Sequence, residues 1–220
     1  MRIPHKYDNL TIIVITSVFK LLTLFVSLSK LFMSQLTPKA AAKRQRVIEA
    51  ACLVFRRHGF ARTSLDAIAE AAGISRPSLY LVFPNKEAVF AAAVHHLGAL
   101  ALAQLRENLP ANGTLEEQLV FVCTEWGGRG YDRMKENPDA QDLIDPNLPP
   151  VRDVYDKLQA LLAELLSDAA AQSSVAATPA QLAELLISAL RGIKEMARDA
   201  VELRRMIALQ VHILVRSLET

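Results

Sequence analysis

Cysteine is scarce: Cys52 and Cys123 are the only two in 220 residues. They lie far apart and neither falls in a CxxC or Cys/His spacing, which sets aside a zinc site and a disulfide scaffold. Reduced thiols and a cytoplasmic location are the default expectation. Strand signal is sparse after residue 33, where alanine and leucine dominate, so the expected fold class is all-α. Also missing are GxSxG, HExxH, the Walker phosphate loop and the dinucleotide fingerprint. The chain therefore shows no catalytic set, and neither a cofactor nor a metal is expected. His95 and His96 do not alter this, because adjacent residues diverge on a helix and a metal pair wants i,i+3 or i,i+4 spacing.

Residues 1–32 lack Ala, Gly and Glu altogether, whereas the remainder is alanine-rich. The segment Leu10–Phe32 is strongly apolar, but Lys20 divides it into uncharged runs of 10 and 9 residues. Both fall short of the roughly 18–20 residues of a spanning helix. The composition break favours an upstream extension translated ahead of a true start at Met33. A membrane anchor is the alternative, with the basic residues from Lys30 to Arg46 holding the C-terminal side in the cytoplasm. A signal peptide fits less well, since no small-residue cleavage site follows.

What remains suits one large or two small domains. Half of the chain is apolar, enough for a sizeable core. Charge is uneven. Between Met33 and Phe90 there are nine basic side chains against four acidic ones, a net of +5. From Ala91 to Thr220 there are 12 basic and 18 acidic ones, a net of −6. A basic N-terminal part on an acidic body suits phosphate at the first and not at the second.

The densest local signal runs from Thr63 to Phe83, TSLDAIAEAAGISRPSLYLVF. Thr63 or Ser64 is an N-cap, and Asp66 suits the first turn. Leu65, Ile68, Ala69 and Ala72 share a face, and Gly73 ends the helix. Ser75 caps a second helix, Pro77 is tolerated in its first turn, and Pro84 stops it after Phe83. Helix, glycine turn, helix is the design whose second helix enters the DNA major groove. Ser75, Arg76 and Ser78 stand at the entering end, with groups that reach base edges or phosphates. Upstream, Met33–Ala42 reads as a flexible arm with a helix-start signal at Pro38, and Lys43–His58 as a first helix closed by Gly59. Phe55, Phe60, Ile68, Leu79 and Phe83 are its three-helix core.

From Lys43 to Phe83 the pattern FxxxGFxxTSLxxIAxxAGISxxxLYxxFxxKE resembles the N-terminal domain of the TetR/AcrR family of transcriptional regulators. Ile48, Ala50, Ala51, Phe55, Gly59, Phe60, Tyr80, Lys86 and Glu87 are among the matching residues. The resemblance covers about a quarter of the chain. It implies a helix-turn-helix DNA-binding domain over residues 33–84 and a helical ligand-binding and dimerisation domain over residues 85–220. It also carries DNA-contact roles to Thr63, Tyr80 and Lys86. With the basic arm and the turn, the expected DNA-binding set is Lys43, Arg44, Thr63, Ser64, Ser75, Arg76, Pro77, Ser78, Tyr80 and Lys86. Leu81 and Val82 stand where many relatives carry aromatic or polar groups.

Beyond Pro84 the periodicity predicts a long helix from Asn85 to about Asn108, then helices over Thr114–Trp126, Val151–Ala171, Thr178–Ala197 and Asp199–Leu218. Gly127, Gly128 and Gly130 are expected to break the second of these. Phe121, Trp126, Met134, Leu143 and Tyr155 are candidates for an apolar effector cavity. Glu125 reads as an exposed helix charge, and would meet a cationic effector only if it were buried. The family resemblance implies a homodimer through the last two helices. The expected function is a dimeric repressor that binds double-stranded DNA at a palindromic operator and is released by a small molecule. Two other readings stay open: a small-molecule-binding protein with a vestigial DNA unit, and a membrane-tethered interaction protein.

Overall fold

Ser64 accepts a hydrogen bond from the Ala67 amide at 3.1 Å, and Asn85 accepts one from the Ala88 amide at 2.8 Å. Caps of this kind, each worth about 1 kcal/mol, set most helix starts. A computed structural model describes residues 38–219, apart from the side chains of Arg133, Met134 and Pro138. The apolar extension 1–32, with its anchor alternative, and the start of the expected arm lie outside the described residues.

Eight α-helices occur among the described residues: α1 Pro38–Arg62, α2 Leu65–Ala71, α3 Arg76–Tyr80, α4 Lys86–Glu107, α5 Leu115–Glu136, α6 Pro149–Gln172, α7 Pro179–Met196 and α8 Ala200–Leu218. A 3₁₀ segment, Pro138–Ile144, joins α5 to α6. The chain divides into two compact units, Met1–Gln45 and Arg46–Thr220. Of the first, the described part is the opening of α1, which begins at Pro38 instead of Lys43 because proline suits a first turn.

Within Arg46–Thr220 two apolar cores form. One gathers Phe55, Ile68, Leu79, Phe83, Val89 and Phe90, and it also takes in Ala140, Leu143, Val151 and Val154 from beyond α5. The second holds Leu119, Leu158, Leu162, Leu186, Leu203 and Ile207 from α5 to α8. Trp126 and Tyr155 pack against both cores and meet edge to face at 5.9 Å between ring centroids. Three rings close the first core: Phe90 meets Phe55 at 5.2 Å and Phe60 at 4.8 Å.

Two glycines are essential to the backbone path. Gly73, at φ 63°, turns α2 toward α3. Gly59, at φ 70°, kinks α1 where the sequence suggested its end, and the helix resumes to Arg62; a Cβ at Gly59 would overlap the Asp139 carbonyl of the 3₁₀ segment. Arg62 forms an ion pair with Asp139 at the same junction.

The glycines of α5 correct the sequence expectation. The helix continues through Gly127, Gly128 and Gly130 to Glu136. Gly127 leaves room for Leu190 of α7 and Ile207 of α8, whose methyl groups would stand 2.8 and 3.2 Å from a Cβ. Gly130 leaves room for the stem of Lys194, whose Cδ would stand 3.2 Å from a Cβ there. Close helix approach, not helix termination, is what these glycines supply. The second helix of the turn motif is also shorter than expected. It ends at Tyr80, because the amides of Val82 and Phe83 both turn back to the Leu79 carbonyl, at 2.8 and 2.9 Å.

Candidate nucleic-acid interface and effector cavity

α2 and α3 are held rigidly by the Gly73 turn. The Gly73 amide donates to the Glu70 carbonyl and the Ile74 amide to the Ala69 carbonyl, both at 3.0 Å. Ile74 packs against the first core, as do buried Ile68 and Leu79. This leaves the polar side of the pair outward. Ser64, Ser75, Arg76, Pro77 and Tyr80 are exposed and Ser78 is half-buried. Ser75 caps α3 by accepting from the Ser78 amide at 3.4 Å.

Arg76 is the centre of the exposed set. One guanidinium nitrogen donates to Asp66 at 2.7 Å, another donates to the Tyr80 hydroxyl at 3.3 Å, and the group lies 5.7 Å from the centroid of the Tyr80 ring. The hydrogen bond to Tyr80, and then the charge of Asp66, hold the guanidinium above its ordinary pKa. The pair with Asp66 is solvent-exposed, so it costs little to open. Arg76 is thus a permanently charged, forked donor pre-oriented by two neighbours, the form suited to guanine or phosphate.

Two expected contacts point inward instead. Thr63 is 4% exposed, and its hydroxyl donates to the Gly59 carbonyl at 2.6 Å. It closes the turn after α1, while Ser64 is the actual cap of α2. Lys86 donates to the carbonyls of Phe60 at 2.8 Å and Thr63 at 3.0 Å, with its ammonium 4.3 Å from the centroid of the Phe60 ring. An ammonium so engaged ties α4 to the end of α1. Lys43 and Arg44 are half-buried in the opening turns of α1.

A cavity of about 70 Å³ lies among α4, α5, α6 and α7. Trp126, Leu143 and Tyr155 are among its lining residues, with Val94, Leu97 and Val154. Phe121 does not. It faces a separate recess with Leu105 and Glu125, because it stands on a different side of α5 from Trp126. The side chain of Met134 lies outside the described residues. Glu125 is half-buried and pairs with Arg129 at 3.6 Å, so it offers no free buried partner to a cation. Sequence reasoning missed the cavity's own charges, Arg129, Arg191 and Lys194. A signal for one was present: Leu186, Leu190 and Lys194 follow at i, i+4, i+8, which places Lys194 on the buried stripe of α7. No group of three or more His, Cys, Asp or Glu side chains fit to hold a metal occurs among the described residues. Cys52 and Cys123 are both buried and unpaired with each other.

Residues 47–93 match the family model described as bacterial regulatory proteins, tetR family. The HTH-type transcriptional regulator RutR of Escherichia coli strain K12 is similar over 66 residues at 38% identity, covering 30% of this chain and 31% of RutR. The uncharacterized HTH-type transcriptional regulator YerO of Bacillus subtilis strain 168 is 31% identical over 64 residues, covering 29% of this chain and 22% of YerO. The matched stretch thus spans less than a third of either relative. Over most of the chain the fold is similar to a putative TetR-family regulator from Rhodococcus sp., with TM-score 0.61, 14% identity and coverage of 80% of this chain and 99% of that one. A tetR-family regulator from Streptomyces coelicolor gives TM-score 0.59 and 20% identity, covering 81% and 89%.

Proposed function

We propose that this chain, which belongs through residues 47–93 to the tetR family of bacterial regulatory proteins, is a ligand-responsive DNA-binding transcriptional regulator. It acts in the cytoplasm as a homodimeric repressor. The observation that carries the reading is the rigid α2–turn–α3 pair with Arg76, Tyr80, Ser64 and Ser75 exposed on its outer side. Two such pairs, related by a two-fold axis, enter successive major grooves about 34–36 Å apart on a palindromic operator. Arg76 and Ser78 read bases; Ser64, Ser75 and Tyr80 hold phosphates, and Lys43 and Arg44 add positive charge ahead of the turn motif.

Ligand response is supported by how the cavity wall is built. Leu143 and Ile144 line the cavity, and they end the 3₁₀ segment whose other end meets Gly59 and Arg62. At about 70 Å³ the cavity is far below the roughly 300–1,000 Å³ of occupied ligand sites. An effector entering it must move a wall, and this wall is bonded to the turn that leads into α2. The effector then favours a second arrangement of the DNA-binding part, by as much as its affinities for the two arrangements differ.

The test is a selection from random duplexes with the purified chain, read by sequencing. Enrichment of a palindrome is expected, with half-site centres one helical turn apart. Binding without any enriched sequence, lost as salt rises, overturns the reading and leaves a ligand-binding protein with a vestigial DNA unit.

A further inference from the structure

The lining of the cavity is unbalanced in charge. Three cationic side chains contribute to it, Arg129, Arg191 and Lys194, and no Asp or Glu does so among the described residues. The three differ in place. Arg129 is partly exposed and bonded to Gln104 and Glu125, so it stands toward solvent. Arg191 also faces a neighbouring polar cleft that contains Asp156 and Glu184. Lys194 is only 9% exposed, on the buried stripe of α7, and its stem crosses α5 where Gly130 makes room. The other lining side chains are apolar or aromatic.

We propose that the cavity takes a small organic monoanion, a carboxylate on an apolar body. The head lies between Lys194 and Arg191, and the body lies against Trp126, Tyr155, Val94 and Val154. The inference rests on the reading of the cavity as the effector site and names the chemistry of its occupant. A net positive lining with low-dielectric walls concentrates anions and repels amines. The apolar walls reward an attached hydrocarbon by about 25 cal/mol per Å² buried. The two requirements together select an amphipathic carboxylate over an inorganic anion or a neutral hydrocarbon. A charge-assisted hydrogen bond to an ammonium is roughly twice as strong as a neutral one, so the matched amide is the informative competitor.

The structure supplies its own reporter. Trp126 is the single tryptophan of the chain and it lines the cavity. The experiment is a titration of the full chain, followed by tryptophan emission, with straight-chain carboxylates from butanoate to dodecanoate. Primary amides and amines of the same lengths are the comparison. The expected result is a saturable change with carboxylates, binding about tenfold or more tighter than the matched amides, with amines weakest. Lys194→Met should erase the preference for carboxylate while amide binding persists. Arg191→Gln, at a partly exposed position, should reduce the preference and serves if the first variant melts early. Amides binding as tightly as carboxylates, amines binding tighter, or no response to any carboxylate each overturn the proposal. Release of the selected duplex is scored separately. Carboxylate binding without release leaves this site intact and removes its role as effector site. Release by an amine or amide keeps the regulator and overturns the anion.

Discussion

The carboxylate of Asp142 accepts a hydrogen bond from the backbone amide of Phe60, 82 positions earlier in the chain. Asp142 belongs to the 3₁₀ segment, and Phe60 to the last turn of α1. The other oxygen of Asp142, Oδ1, is buried with no hydrogen-bond partner among the described residues. The segment is therefore fastened to the end of α1 by this hydrogen bond and by the Arg62–Asp139 ion pair, with an unpaired acceptor beside them.

Asp142→Ala removes the acceptor and leaves the Phe60 amide without its partner. A loss of about 1–2 kcal/mol is expected, tempered because a half-satisfied carboxylate also leaves the interior. Urea unfolding followed by circular dichroism measures it. An unchanged midpoint would mean that the contact adds nothing to stability.

Gly59→Ala acts at the same junction by a different route. Its φ of 70° with ψ 175° lies in a region essentially reserved for glycine, costing a side-chain residue about 1–3 kcal/mol. The added Cβ also overlaps the Asp139 carbonyl, which is backbone and cannot rotate aside. The total should exceed 2 kcal/mol, at the severe end for a single methyl group. A melting temperature within a degree or two of the wild type would contradict the packing described for this turn.

Arg76→Ala and Lys86→Ala should separate two kinds of basic residue. Arg76 is exposed and removable without loss of packing, so the first variant should keep its stability. It should lose about 1–3 kcal/mol of preference between operator and non-operator duplexes. Lys86 holds carbonyls of Phe60 and Thr63, so the second should lose about 1–2 kcal/mol of stability. Its specificity ratio should remain. Paired melting and binding titrations decide between the roles, and the reverse pattern would exchange them.

The local parts of this architecture were legible and the tertiary parts were not. Ser75, Asn85, Thr178 and Asp199 all cap the helices their positions suggested, because a cap needs only the next three residues. Gly127–Gly130 misled for the opposite reason. Glycine's local preference is to break a helix, and its use here depends on Leu190, Ile207 and Lys194 arriving from distant sequence. The inward turn of Thr63 and Lys86 was hidden likewise, since a resemblance carries residue types and not the partners each side chain finds. In the cavity, aromatic residues stood out while the cations were overlooked. A charge on a buried helical stripe reads as an interruption until the opposing wall is known.

Cys123 offers a check on the second core. Burial pushes its thiol up to about 12, and thiolate is the reactive form. At pH 8 the native protein should leave Cys123 unmodified by an aromatic disulfide reagent, with full reaction only after denaturation. Cys52, buried with its thiol toward the Ala93 carbonyl, should behave alike. Rapid labelling of either in the native state would show that its core opens.

The last two helices present an apolar groove without a partner in the single chain. Leu186, Ala189, Ile193, Met206 and Leu214 line it, and Leu185 and Ile213 beside them are 59% and 62% exposed. Within the groove Gln210 donates to the Leu186 carbonyl at 3.1 Å, yet its own carbonyl oxygen is buried and unpaired. A second copy of the chain related by a two-fold axis would cover the apolar side chains. Ile213→Asp puts two charges at the centre of such a contact, one from each copy, while in the monomer it lies on an exposed position. The variant should therefore fold with an unchanged helical spectrum and sediment as a monomer where the parent sediments as a dimer. Its affinity for the selected palindrome should fall by more than tenfold, because each half-site is then bound alone. A parent chain that sediments as a monomer at micromolar concentration would remove the two-fold premise, and with it the expectation of a palindromic operator.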